Sequence, residues 1–214
     1  MKTALTELCQ AIVHQPELHC KWLNTLSLME NTGARKISAS EHPVHVDLTM
    51  LKHAAEEFRH AFYLKKLIGR LDTNACPTYA PEYLLAPHAS RFYLHQLDIA
   101  VCRMLLQEDR IDRARMQKGA YLLVTYAIEV RADELYGTYQ QALDGVQSRV
   151  NVKSIIAEEE GHLEEMQHLL QQFDPAWKTL ADRACRLEEQ LYNNWIEAVA
   201  AEVGHLAETP TTVQ

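Results

Sequence analysis

Ala55-Glu56-Glu57-Phe58-Arg59-His60 and Ala157-Glu158-Glu159-Glu160-Gly161-His162 both read A-E-E-x-x-H. Each lies within a stretch whose apolar residues recur at helical spacing. Residues three apart share one face of an α-helix. Glu57 and His60 therefore aim at a common point, and so do Glu159 and His162. An anionic oxygen beside a neutral imidazole nitrogen is a donor pair suited to iron or manganese. A lone Glu-x-x-His is a weak signal in a chain with 11 His. A third one, Glu165-x-x-His168, follows Glu159 by six residues, about 600° of helical rotation. It points away from the first pair and reads as solvated helix surface. The repetition of the longer hexapeptide is what decides the reading.

Working outward, two more carboxylates are expected on the preceding helices, and Glu30 and Glu129 fit. The midpoint between Glu30 and Glu57 falls at Pro43-Val44, beside the break Ser38-Ala39-Ser40-Glu41-His42-Pro43. The midpoint between Glu129 and Glu159 falls at Asp144, on the turn signal Asp144-Gly145. Antiparallel helices joined by a short loop bring residues equidistant from that loop face to face. Both hairpins thus place their acids at one height, and the expected ligand set is Glu30, Glu57, His60, Glu129, Glu159 and His162.

The rest of the chain also reads as helix. The expected spans are Leu5 to His14, Pro16 to Ile37, Val44 to Leu71, Ala89 to Leu106, Gly119 to Leu143 and Asn151 to Phe173. A last helix, capped by Asp174 with Pro175 in its first turn, ends near 204–207. Pro43 suits a first-turn position of the third helix, with Ser40 as a nearby cap. Leu48, Leu51, Ala55, Phe58, Phe62 and Leu67 are expected on or near its core side. Pro77, Pro81 and Pro87 mark 72–87 as a connection, and the charged stretch 107–118 reads as a loop or helical bend. No segment alternates with period two, so the fold class is all-α, in a single domain spanning 1–214.

Composition agrees. Of 214 residues 47% are hydrophobic and 23% charged, with only seven Gly and seven Pro. That is a globular, helix-leaning balance. A net charge of -8 gives no electrostatic reason to bind nucleic acid. No apolar run is long enough for a bilayer span, and the first residues do not read as a secretory signal. The five Cys are scattered and form no CxxC pair, which reads as free thiols in a reducing cytoplasm. The expectation is a cytoplasmic protein with no nucleic-acid or membrane partner.

The pattern Glu30, Glu57-x-x-His60, Glu129, Glu159-x-x-His162 resembles the ferritin-like di-iron carboxylate superfamily, over about 16–173. This is a likeness of ligand motifs, so it indicates a superfamily and no individual family. It implies a four-helix bundle with additional helices holding two Fe ions, with Mn/Fe and Mn/Mn suiting the same ligands. It also implies that Glu56 orients His162 and Glu158 orients His60, each carboxylate accepting from the outer N–H of an imidazole. Asp133, one turn after Glu129, is a further candidate for that polar network, or for a pairing with Arg131 or a neighbouring helix. His53 is a candidate for an extra ligand or a hydrogen-bonded core residue, and Tyr126 for a redox-active or a packed core phenol. Gly33, one turn after Glu30, is a candidate for leaving room beside the metals.

Three function classes are compatible with such a site. The first is an O₂-dependent non-haem di-iron oxidase or oxygenase acting on a small organic substrate, with an external electron donor. The second is iron handling: ferroxidase activity, storage or peroxide detoxification. The third is a metal-free interaction module, which leaves the desolvation of the acids unexplained. The added helix from Ala89 and the long last helix resemble the substrate-acting branches and favour the first. Bundles of this kind often form homodimers.

Overall fold

The computed structural model describes residues 2–72, 74–108 and 111–208. Among them are seven α-helices and no strand: α1 Lys2–Val13, α2 Pro16–Ser40, α3 Leu48–Ile68, α4 Pro87–Leu105, α5 Arg113–Gly145, α6 Lys153–Phe173 and α7 Trp177–Glu208. A short 3₁₀ turn, Pro81–Tyr83, lies in the proline-rich connection. None of these helices is long and apolar enough to cross a membrane.

Local chemistry sets the boundaries. Asp174 accepts from the Ala176 N–H at 2.8 Å in the turn that leads into α7, so Pro175 stands in that turn, two residues before the helix begins at Trp177. The third helix starts later than its periodicity predicts. Val44 and His45 donate their N–H groups to the His42 ring, which folds 42–45 into a turn. Asp47 then caps α3 by accepting from Thr49 and Met50 at 3.0 and 3.3 Å. Neither Ser40 nor Pro43 plays that part. Likewise Asp112 caps α5 through the Arg115 N–H at 2.8 Å, so the second half of the charged stretch is helix. Residues 109 and 110 of that stretch lie outside the described residues.

Cross-helix contacts fix the directions. Ser27 donates to the Ala61 carbonyl and Lys65 to Asn24, so α2 and α3 are antiparallel. Lys52–Glu165, Arg59–Glu158 and Tyr63–Asn151 make α3 and α6 antiparallel. Arg115–Phe173 and Gln140–Val152 do the same for α5 and α6. Helices α2, α3, α6 and α5 are thus successive staves of a four-helix bundle. The backbones of α2 and α3 and of α5 and α6 pack closely, whereas the α3–α6 and α5–α2 sides are wider, and α4 lies against both α2 and α5.

Helices α1, α4 and α7 build the outer layer. Trp22 of α2 stacks on Trp195 of α7 at 5.7 Å, and Trp195 Nε1 donates to Ser90 of α4. Buried Glu188 of α7 accepts from Arg131 of α5 through two nitrogens at 2.9 Å and from Tyr93 of α4. This charge is fully paired, as a buried carboxylate requires.

One expectation about α3 fails. Leu48, Leu51, Phe58 and Phe62 are 79%, 42%, 43% and 67% exposed, and Ala55 is exposed with them. Of the expected core row only Leu67 is inside. The inward face of α3 belongs to His53, Glu57, His60 and Leu64 instead. Two different faces of one helix carry a helical repeat, and periodicity alone does not say which one is buried.

Candidate metal centre

Glu57 and His60 on α3, Glu159 and His162 on α6, and Glu129 on α5 are all buried, while Glu30 on α2 is half-buried. Six polar side chains converge in the middle of the bundle because each occupies an interior position at the same height of its helix. They form two overlapping groups. One is Glu30, Glu57, His60 and Glu159; the other is Glu57, Glu129, Glu159 and His162. Within each group one ligand atom per residue lies within 4.8 Å of all the others. Glu57 and Glu159 belong to both. Two adjacent cations, one in each group, would share those two carboxylates.

The imidazoles are held from outside. His60 Nε2 meets Glu158 Oε2 at 2.7 Å, and His162 Nε2 meets Glu56 Oε2 at 2.7 Å. A carboxylate accepts the Nε2–H in each case and leaves the Nδ1 lone pair facing the acids. Each hairpin thus orients the other's histidine. The outer carboxylates are themselves anchored: Arg59 donates to both oxygens of Glu158 at 2.8 and 2.9 Å. Inside, His162 Nδ1 lies 3.1 Å from Glu159 Oε2 and 3.7 Å from Glu129 Oε2. His60 Nδ1 lies 3.0 Å from Glu159 Oε1, out of alignment for a hydrogen bond.

The electrostatics show how much the cluster lacks. Burial, then the charges of Glu30 and Glu159, push the Glu57 carboxyl well above its ordinary range. Burial and the Glu159 charge do the same to Glu129. Burial alone would raise Glu159 too, but Glu129 and the imidazoles of His162 and His60 hold it ionised. Burial would lower the histidines. The acids beside them prevail and raise His60 to about 9 and His162 to about 11. Without cations the site therefore traps protons among its carboxylates. Two divalent cations would balance the four carboxylate charges with both imidazoles neutral.

A test of fit comes from unsatisfied atoms. Among the described residues, four buried side-chain polar atoms lack a hydrogen bond, and two of them, His60 Nδ1 and Glu129 Oε2, belong to this cluster. Buried polar atoms are rarely left orphaned. These two fall in different groups, His60 in one and Glu129 in the other, so a cation in each group would use one of them. The donor set of four carboxylates and two imidazoles suits iron or manganese.

Among the neighbours, His53 and Tyr126 agree with their core reading, while Asp133 and Glu165 differ from theirs. Asp133 is exposed and makes no hydrogen bond or ion pair among the described residues. Four residues add about 40° of rotation and one turn of rise relative to Glu129, which carries it out of the seam. Arg131 is taken by Glu188 and Glu134. Glu165 is more than solvated surface, since it binds Lys52 at 2.6 Å and His53 at 2.8 Å. His53 is a hydrogen-bonded core histidine, its ring centroid 4.6 Å from that of His162. Tyr126 packs edge-on to Trp177, away from the cluster. Tyr136 was not foreseen: its buried phenol donates to Glu30 Oε1. It stands seven residues, two turns, after Glu129 on the same face, and that spacing was its one available signal.

A cavity of about 450 Å³ lies beside the cluster, between α2, α4 and α5. Glu30, Glu57 and Glu129 form part of its wall, and most of the remainder is apolar, including Met29, Ile37, Leu94, Val124 and Ile128. One end reaches exposed Ala39 and Gln117; the other is closed by buried Leu26 and Trp195. Between these ends α2 rises about 20 Å. Gly33 lines the space, and a Cβ there would lie 3.8 Å from Glu57 Oε2. Thr125, one turn before Glu129, faces the same space with a hydroxyl that makes no hydrogen bond within the described residues.

Compared with known proteins, the chain matches no family model, no curated protein and no solved structure.

Proposed function

We propose that this protein is a dimetal carboxylate oxidoreductase of the ferritin-like kind, acting with O₂ on a small, largely apolar organic molecule. The observation that carries the reading is the junction of cavity and cluster. An apolar compartment of about 450 Å³, within the size range of small-molecule sites, is walled in part by three of the six candidate ligands. A conduit serving iron alone would be expected to be lined with acids. Two ferrous ions held by Glu30, Glu57, His60, Glu129, Glu159 and His162 would supply two electrons to O₂.

The chain's own residues do the remainder. Glu56 and Glu158 fix the tautomers of His162 and His60. Tyr136 holds Glu30 through its phenol. Gly33 leaves space next to Glu57 for an atom of the substrate. Apolar side chains along α2 and α5 exclude water from that space and select against charged molecules.

The test is an anaerobic load with Fe(II) followed by O₂. Oxidation should stop at about two irons per chain, and a reductant-dependent screen of small apolar organics should then find turnover. Oxidation of many irons per chain in a cage-sized particle would establish iron storage and overturn the reading.

A further inference from the structure

Leu48, Leu51, Ala55, Phe58 and Phe62 follow one another at spacings of three, four, three and four residues. This is the seam of a coiled coil, and on α3 it faces outward. Its four large members are 42–79% exposed, and Val44 and Val46, just before the helix, are 74% and 64% exposed. An isolated exposed leucine is ordinary, but a straight apolar row about 21 Å long is not.

The order of side-chain sizes along the row identifies what fits it. Ala55 stands at the centre, with two leucines on the N-terminal side and two phenylalanines on the C-terminal side. Reversed end for end about Ala55, the row is complementary to itself. Phe62 then meets Leu48, Phe58 falls within one residue of Leu51, and the two Ala55 methyl groups meet at the crossing. Small residues at a crossing let two helices approach closely, and large against small side chains interdigitate without voids. In a parallel pairing Phe would meet Phe and Leu would meet Leu.

The flanks suit the same contact. Lys52 and Arg59 border the row, and both are already engaged by acids of their own chain: Lys52 by Glu165, and Arg59 by Glu158 and Glu56. Mixed, paired charges of this type form an interface rim and do not oppose a second copy. The row and the two valines together form an exposed apolar strip suited to the core of a standard contact of ~800 Å² per partner.

We propose that α3 pairs antiparallel with α3 of a second copy across a two-fold axis at Ala55. The dimer would be isologous and closed, as most homodimers are. It would also back the helix that carries Glu57 and His60 with a second layer. The pairing depends on neither metal nor substrate.

Sedimentation equilibrium of the full chain at tens of micromolar should give about 49 kDa, twice the 24.5 kDa of one copy. Phe62→Glu, at an exposed position, should keep the helical circular dichroism and weaken association by at least ~100-fold, since the two-fold places the charge in the contact twice. Under mild oxidation Ala55→Cys should give a disulfide-linked dimer well above the baseline of the parent, whose Cys102 and Cys185 are only half-buried. Leu48→Cys should not, because the antiparallel fit sets its two copies about 21 Å apart, twice the ~10.5 Å that seven residues of helix put between Leu48 and the axis at Ala55. A monomeric parent, or a dimer untouched by Phe62→Glu, would overturn the proposal. Cross-linking through Leu48→Cys in place of Ala55→Cys would overturn the antiparallel pairing.

Discussion

Between Glu57 and His60 on α3 stand Phe58 and Arg59; between Glu159 and His162 on α6 stand Glu160 and Gly161. The inward residues of the two motifs are the same and do equivalent things. Each histidine turns Nδ1 toward the cluster and hands Nε2 to a carboxylate of the other hairpin. The outward residues have nothing in common. On α6 they are an acid and a glycine exposed to water, whereas on α3 Phe58 continues an exposed apolar row and Arg59 pairs with Glu158. A repeated motif therefore defines an interior requirement. What lies between its fixed positions reports on the surroundings of each helix.

The comparison also ranks the ligands. Glu57 and Glu159 belong to both groups of candidate ligands, whereas Glu30 and Glu129 each belong to one. After anaerobic reconstitution, Glu57→Ala and Glu159→Ala should lose nearly all bound metal by elemental analysis. Glu30→Ala and Glu129→Ala should retain about one ion per chain. Equal losses in all four variants would mean that the two groups are not separate sites.

The outer carboxylates come next in size. Glu56→Gln and Glu158→Gln should weaken metal binding by roughly 10–100-fold, because each removes the acceptor that fixes an imidazole tautomer. Titration with Mn(II) would measure it. Unchanged affinity in both would reduce these residues to surface acids.

A smaller effect is expected from pH. His60 and His162 are raised above their ordinary 6.5, to about 9 and about 11. A group whose pKa is raised by folding stabilises the folded chain fully below its unfolded value. That contribution is lost as the pH climbs through the folded value. Glu57 and Glu129, also raised, act with the same sign. Glu159 is lowered and acts oppositely, in acid below its ordinary 4.5. The metal-free protein should thus lose thermal stability as pH rises from 6.5 towards 9. Since cations displace those protons, the gain in Tm with saturating Mn(II) should be larger at about pH 8.5 than at pH 6.5. A gain that shrinks with pH would contradict the site's electrostatics.

The smallest effects belong one turn beyond the α2 and α5 acids. Gly33→Leu should keep both metals and fill cavity space, reducing substrate oxidation without changing metal content. Asp133→Asn, on an exposed residue, should change neither.

Much of this was legible from sequence, for identifiable reasons. Helix-forming stretches, the Asp174 cap and the equal heights of four acids follow from local periodicity and short loops, which act over a few turns. The start of α3 was misplaced because two caps compete there, and the His42 turn decides for Asp47. Periodicity reads the α3 row as inward because an apolar seam looks the same whether it meets its own core or another molecule. Tyr136 and the cavity depend on how far α5 stands from α2. Packing of α4 and α7 sets that distance, and no short stretch of sequence contains it.

The central claim is that two cations share Glu57 and Glu159. Anomalous diffraction from crystals loaded with Mn(II) or Fe(II) tests it most directly. The account predicts two peaks ~3.5–4 Å apart, one beside His60 Nδ1 and one beside His162 Nδ1, with both shared carboxylates between them. A single peak, or peaks away from these six residues, would contradict it.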